Sequence, residues 1–198
     1  MLPPSPMCLL VYCGSRSGAH ARFRGIAEDL ADRMAQANMS LIYGGGGIGL
    51  MGAVARRLIE HNGTVVGIIP EFLNSTEVAL PWCTELIEVH SMHERKMRML
   101  ERCHAILALP GGFGTMDELF EAISWRQLGL HNKPIGLLNV DGFYDHLSKQ
   151  IDAMHHEDFI NKESRAHLRI ATSLDELLPW LETHASVLPP DPLLPRWT

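Results

Sequence analysis

Short apolar runs alternate with glycine-rich turns and helical periods along this chain, and that alternation leaves few folds open to it. Runs rich in β-formers occur at Met7–Cys13, Ser40–Tyr43, Thr64–Ile69, Ala105–Leu109 and Ile135–Val140, with weaker ones at Leu86–Val89 and Leu168–Ile170. They are apolar on both faces, as in a parallel sheet covered on both sides. Between them Phe23, Ile26, Ala27, Leu30 and Met34 form one helical stripe. Met51, Val54, Ala55 and Leu58 form a second, Leu119, Ala122, Ile123 and Leu128 a third, and Leu174, Leu177, Leu178 and Leu181 a last. The pattern predicts a single α/β domain, a doubly wound parallel sheet flanked by helices. In such sheets a ligand lies outside the carboxyl ends of the strands. The two glycine clusters fall there and are expected to face one site.

The first cluster, Gly44-Gly45-Gly46-Gly47-Ile48-Gly49-Leu50-Met51-Gly52, follows a strand and opens a helix. It contains Gly47-x-Gly49-x-x-Gly52, the spacing of the dinucleotide fingerprint, and Glu71 stands near the place of a ribose-binding acid. The fingerprint follows the second strand rather than the first, which speaks against a dinucleotide; phosphate or nucleotide contact by this loop is expected, and a tight turn with close packing of helix on strand is the alternative. Gly45 and Gly46 are candidates for site contact.

The second cluster is more specific. Pro110-Gly111-Gly112-Phe113-Gly114-Thr115-Met116-Asp117-Glu118 joins a strand end, a glycine loop, a helix start and an acid. Glycines let a ligand approach the backbone, and a helix N-terminus favours an anion. A phosphorylated small molecule, above all a nucleotide, fits that combination. Thr115-x-x-Glu118 also has the spacing of a capping box, a pattern repeated at Ser91-x-x-Glu94 and Ser173-x-x-Glu176. From spacing alone Glu118 is either a catalytic carboxylate or a cap. Glu121 and Ser124 continue its face at three-residue steps and are candidates to line the site with it.

Ser91–Met99 reads as a cationic helix start after a weak strand, which brings Arg95 to the same sheet edge as an anion or leaving-group contact. Ser15 and Arg16, just after the first strand, are candidates for site contact, although a turn is the simpler explanation. No metal is expected: His90-x-x-His93 and His155-His156 lack a third ligand at recognisable spacing.

The 198 residues suit one domain, and 46% hydrophobic content is ordinary for a globular chain. Residues 1–6 read as an N-terminal tail, 7–184 as the nucleotide-binding domain, and 185–198 as a Pro-rich C-terminal tail. The net charge of −6 speaks against a nucleic-acid surface. No apolar stretch reaches membrane-span length and no signal-peptide pattern opens the chain, so a cytoplasmic location is expected. Cys8, Cys13, Cys83 and Cys103 form no Cys-x-x-Cys pair and are expected as reduced thiols.

Taken together, several motifs resemble the Lonely Guy (LOG) family of cytokinin riboside 5′-monophosphate phosphoribohydrolases, often labelled lysine decarboxylases. These are Cys13-Gly14-Ser15, Tyr43-Gly44-Gly45-Gly46 with Gly49-Leu50-Met51-Gly52, Gly67-Ile68-Ile69-Pro70, Met92-His93-x-Arg95-Lys96 and Pro110-Gly111-Gly112-x-Gly114-Thr115-x-x-Glu118. Lys133–Val140 with Gly142-Phe143-Tyr144 also matches, and the likeness runs from Met7 to His184. The resemblance implies a Rossmann-like homodimer, without cofactor, that splits a purine nucleoside 5′-monophosphate into free base and ribose 5-phosphate. It puts Arg95 and Glu118 on the family's catalytic pair. It puts Glu77, Arg95, Lys96, Gly112, Phe113, Gly114, Thr115, Met116, Asp117, Glu118 and Ser124 on its substrate-binding positions. Ser124 stands where plant relatives have Thr, and Asp117 where many relatives have Glu. The alternative reading is a nucleotide sensor or carrier that binds without turnover. A nicotinamide-dependent reductase is a third, weakened by the position of the fingerprint.

Overall fold

The computed structural model describes residues 6–73 and 83–187. Seven parallel strands form one sheet: β1 (Cys8–Tyr12), β2 (Ser40–Tyr43), β3 (Val65–Pro70), β4 (Glu85–Val89), β5 (Ala105–Ala108), β6 (Ile135–Leu138) and β7 (Leu168–Ala171), in the order β4-β3-β2-β1-β5-β6-β7. The expected apolar runs match these strands to within one or two residues. Inner strands are buried on both faces: Leu9 and Val11 of β1 face one core cluster while Leu10 and Tyr12 face the other. The two weaker runs, β4 and β7, are the sheet edges, where Glu85, Glu88 and Arg169 meet solvent. Exposed charges on an edge discourage further strand pairing.

Helices α1 (Ala21–Gln36), α2 (Gly49–Glu60) and α7 (Leu174–Val187) cover the first face. Helices α3 (Met92–Glu101), α4 (Phe113–Gln127) and α5 (Asp145–His156) cover the second, with a short α6 (Lys162–Ala166) before β7. Helix α7 runs to Val187, into the stretch expected as tail. Helix α5 has no clear apolar period in the sequence. It carries charged and His residues around Leu147 and Ile151, of which only Ile151 is fully buried, so its apolar stripe is thin.

Strand order reverses between β1 and β5, which makes their carboxyl ends the switch point where a crevice must open. The loops leaving those two strands are tied together there. Gly14 N–H donates to Pro110 O at 3.1 Å, and Leu109 N–H donates to Tyr12 O at 2.8 Å.

At the amino ends of the strands, His131 pins the turn between α4 and β6. Its ring is fully buried, with Nε2 2.9 Å from Ala122 O and Nδ1 accepting from Lys133 N–H at 3.2 Å, an arrangement that suits the neutral Nε2–H tautomer. Burial, followed by the nearby Lys133, Arg126 and His167, pulls its pKa down to about 4 against the opposing Ala122 carbonyl. The unfolded chain, with an ordinary imidazole, therefore binds the extra proton first. Stability is full above the unfolded pKa and is lost as pH falls from there toward the folded one. Between pH 7 and about pH 5 the expected loss is about 2 kcal/mol. Urea midpoints across that range, compared with those of His131→Gln, check it: the variant's pH slope should be shallower by up to one proton.

Candidate active site

The crevice at the switch point holds a cavity of about 500 Å³, the size of a small-molecule site. One wall is the β1 loop, Cys13 to Gly18. The opposite wall is the β5 loop and the start of α4, Pro110 to Thr115, with Glu118 behind it. Arg95 and Met92 close one side, and Leu50, Met51, Phe23 and Phe143 supply apolar surface.

Helix α4 starts at Phe113, and its N-cap is Gly112, which offers no side chain to the helix. Its first N–H groups have no intrahelical acceptor, and the residues that carry them line the cavity. Gly112, Phe113 and Gly114 are exposed, Phe113 at 96%. Thr115 is not a cap. It is the third residue of the helix, buried beneath the loop, and a Cβ on Gly111 would collide with its hydroxyl and Cβ. The other two spacings are caps: Ser91 Oγ accepts from Glu94 N–H at 3.1 Å, and Ser173 Oγ accepts from Glu176 N–H at 3.3 Å. Glu118 thus lies in the second turn of α4, beyond the cap at Gly112, and lines the cavity.

Arg95 is 4% exposed and held at two corners. Its Nε donates to Ile68 O at 3.1 Å and its Nη2 to Gly44 O at 2.7 Å, while Nη1 lies 3.8 Å from Met92 Sδ. Gly44 must be glycine for this, since a Cβ there would run into the guanidinium. The first glycine loop therefore serves the site by carrying a carbonyl for Arg95. Its fingerprint glycines are packing devices. Gly49, at φ +61°, lies against the backbone of Ser15 and Arg16, and Gly52 lies against Gly47. Gly14 O already accepts from Leu50 N–H at 3.0 Å, so the start of α2 is turned to the β1 loop rather than to a pyrophosphate. Gly45 and Gly46 are buried outside the cavity lining, and Glu71 pairs with His90 on the surface.

Ser15 and Arg16 line the cavity as candidates for contact. Lys96, Asp117 and Glu121 do not line it; they bind one another instead. Met116 packs against the core, and Ser124 is exposed further along α4. Trp125 packs against the core as well. Glu77 lies outside the described residues. Beneath the site, burial and then the charge of Glu118 push the Cys13 thiol and the Tyr12 hydroxyl well up, so both are neutral floor groups.

The sequence motifs include Phe143 in Gly142-Phe143-Tyr144 but give it no place in the site. The segment between β6 and α5 is braced to present it. Tyr144 OH donates to Leu109 O at 2.7 Å, and Asn139 Oδ1 accepts from Tyr144 N–H while its Nδ2 donates to Asp145, both at 2.7 Å. Asp141 and Gly142 take positive φ to make the bend, and the Phe143 ring meets Phe23 edge-on at 5.7 Å. The available signal was Gly142 between an apolar run and two aromatic residues.

A family model described as "possible lysine decarboxylase" matches residues 51–181. A cytokinin riboside 5′-monophosphate phosphoribohydrolase, LOG5 of Arabidopsis thaliana, is 44% identical over 178 residues, covering 89% of this chain and 78% of that protein. The rice protein named probable cytokinin riboside 5′-monophosphate phosphoribohydrolase LOGL3 is 42% identical, covering 88% and 82%. Among solved structures, the molybdenum cofactor carrier protein of Chlamydomonas reinhardtii superposes with a TM-score of 0.70 at 15% identity, covering 91% of this chain and 99% of that one. The molybdenum cofactor binding protein of Rippkaea orientalis gives 0.68 at 20%, covering 91% and 98%. Those two likenesses are of fold.

Proposed function

Because the chain belongs to this family, shared with the LOG phosphoribohydrolases, we propose that it hydrolyses the N-glycosidic bond of adenosine 5′-monophosphate or its N6-modified forms. The products are the free base and ribose 5-phosphate. The observation that carries the reading is the uncapped start of α4 opening onto the same cavity as Arg95 and Glu118. In it, the 5′-phosphate accepts from the N–H groups of Phe113 and Gly114 beside the Gly112 cap, with Thr115 at the base of the loop and the helix dipole in support. The ribose then lies toward Glu118. As the C1′–N9 bond breaks, positive charge gathers on the sugar, and a carboxylate beside it stabilises that charge and orients the incoming water. Water supplies the hydroxyl at C1′, and the departing base takes up a proton. Arg95, fixed by two carbonyls, meets the substrate at the base or ribose-phosphate side.

The residues do not fit an aldehyde cofactor of the kind a lysine decarboxylase uses. That chemistry needs a lysine amine in the cavity, and among the described residues no lysine lines it. Lys96 is engaged by two carboxylates.

A homodimer in the cytoplasm completes the proposal. The dimer would bury outward-facing apolar residues of the α4 segment, among them Phe120 and Leu128. Among the described residues no helix is long and apolar enough to cross a membrane.

The test is base release followed by chromatography, with adenosine 5′-monophosphate and its N6-isopentenyl form beside the unphosphorylated nucleosides. The expected result is release from the monophosphates alone. Binding without release would move the chain to the sensor or carrier reading.

A further inference from the structure

Among the described residues every arginine but one is bonded. Each pairs with a carboxylate or donates to a backbone carbonyl, as Arg22 does with Asp141 and Arg95 with Gly44. The exception is Arg16, whose exposed side chain lines the cavity. The backbone beneath it is held firmly. Gly14 O accepts from Leu50 N–H at 3.0 Å, and Gly14 N–H donates to Pro110 O. The start of α2 presses on the same loop, since a Cβ on Gly49 would come within 2.5 Å of Arg16 N. A fixed loop thus carries a cation whose charge the described fold leaves unmet.

Its place relative to the second glycine loop follows from strand order. β1 lies between β2 and β5. Arg95 is anchored on the far side of β1, at Gly44 O after β2 and Ile68 O in β3. Arg16 follows β1 itself, next to the β5 loop. A Cβ on Gly14 would lie 3.5 Å from Gly111 Cα, so the two loops touch. Among the described residues the charged side chains lining the cavity are Arg16, Arg95 and Glu118. Arg95 is taken up at two corners and Glu118 is directed to the sugar, so Arg16 is the cation left to meet a phosphate.

We propose that Arg16 is a specificity-determining residue that closes on the 5′-phosphate from the wall opposite the start of α4 and sets the preference for nucleoside monophosphates over nucleosides. The inference rests on the phosphoribohydrolase reading of the site. The helix start supplies direction and about half an elementary charge. A phosphate carries more than that, and a guanidinium adds a full charge with paired N–H donors. Arg16 gives up no partner when it turns to the ligand. The phosphate takes no part in breaking the C1′–N9 bond, so the contact is equally strong before and during the reaction. It lowers KM and leaves kcat alone.

Arg16→Gln, on an exposed side chain with no partner to lose, carries the test. For adenosine 5′-monophosphate the expected result is a KM at least about tenfold higher with kcat within about twofold of wild type. Inhibition by ribose 5-phosphate should weaken by the same factor, while inhibition by adenine should hold. Arg16→Lys, which restores the charge without the planar fork, should recover most of the loss. A KM within about twofold of wild type overturns the proposal. So does a fall in kcat at unchanged KM, which would put Arg16 at the breaking bond. An inactive wild type would overturn the activity instead, and calorimetry then reads the contact. Adenosine 5′-monophosphate should bind Arg16→Gln at least about tenfold more weakly, with adenosine affinity unchanged. An equal loss for both, or none for either, overturns it.

Discussion

Glu118→Gln is expected to lower turnover of adenosine 5′-monophosphate at least about a hundredfold, a loss of about 2.7 kcal/mol in transition-state stabilisation, with the thermal midpoint held. Glutamine keeps the shape and most of the packing of the side chain and removes only its charge. The geometry separates this outcome from the capping alternative. Were Glu118 part of a cap, glutamine would serve in its place, and the same change would leave both the helix and the turnover nearly unchanged. But α4 begins at Phe113 with Gly112 as its cap, so Glu118 sits a full turn inside. Its carboxylate lines the cavity floor, where its charge reaches Cys13 and Tyr12. A developing oxocarbenium ion beside it meets a fixed negative charge at no cost of reorganisation. Single-turnover base release together with a thermal melt decides the matter. Near-normal turnover would return the carboxylate to a structural role.

Much of this molecule was legible because parallel strands in a doubly wound sheet are buried on both faces. Apolar runs such as Ser40–Tyr43 and Ala105–Leu109 therefore announce themselves without any partner being known. The switch-point site followed, since glycine loops after such strands must meet at one sheet edge. What stayed hidden was decided by tertiary partners. Spacing could not distinguish the cap at Ser91 from Thr115, because the difference is whether the glycine before the helix lets the threonine fold under the loop. The Gly47-Gly49-Gly52 fingerprint looked like a phosphate cradle. Its glycines are instead required by the close passage of the Ser15 backbone and the Gly47 carbonyl, contacts between segments far apart in sequence or folded back on themselves. Lys96 had the same limitation: only the position of α4 shows that it pairs with Asp117 and Glu121. Helix α5 escaped because one fully buried side chain in twelve residues gives almost no periodic signal.

Arg95→Ala should also cost at least about a hundredfold in kcat/KM, and here the fold will register the change. The guanidinium satisfies Ile68 O and Gly44 O, both in the buried interior, and alanine leaves each without its donor. A buried acceptor left unmet costs about 1–3 kcal/mol, so a lower melting temperature is part of the expectation and activity must be read well below it. Arg95→Lys then separates charge from geometry. A lysine restores the cation and part of the packing, but an ammonium on a flexible stem cannot hold both carbonyls and still present a planar donor to the cavity. It should recover stability more than rate. If the lysine variant regains most of the turnover, Arg95 acts as a point charge and its anchoring is incidental. If it regains stability while kcat stays low at near-normal KM, the two carbonyl bonds are what aim the guanidinium at the departing base, and Gly44 is glycine to make room for that aim.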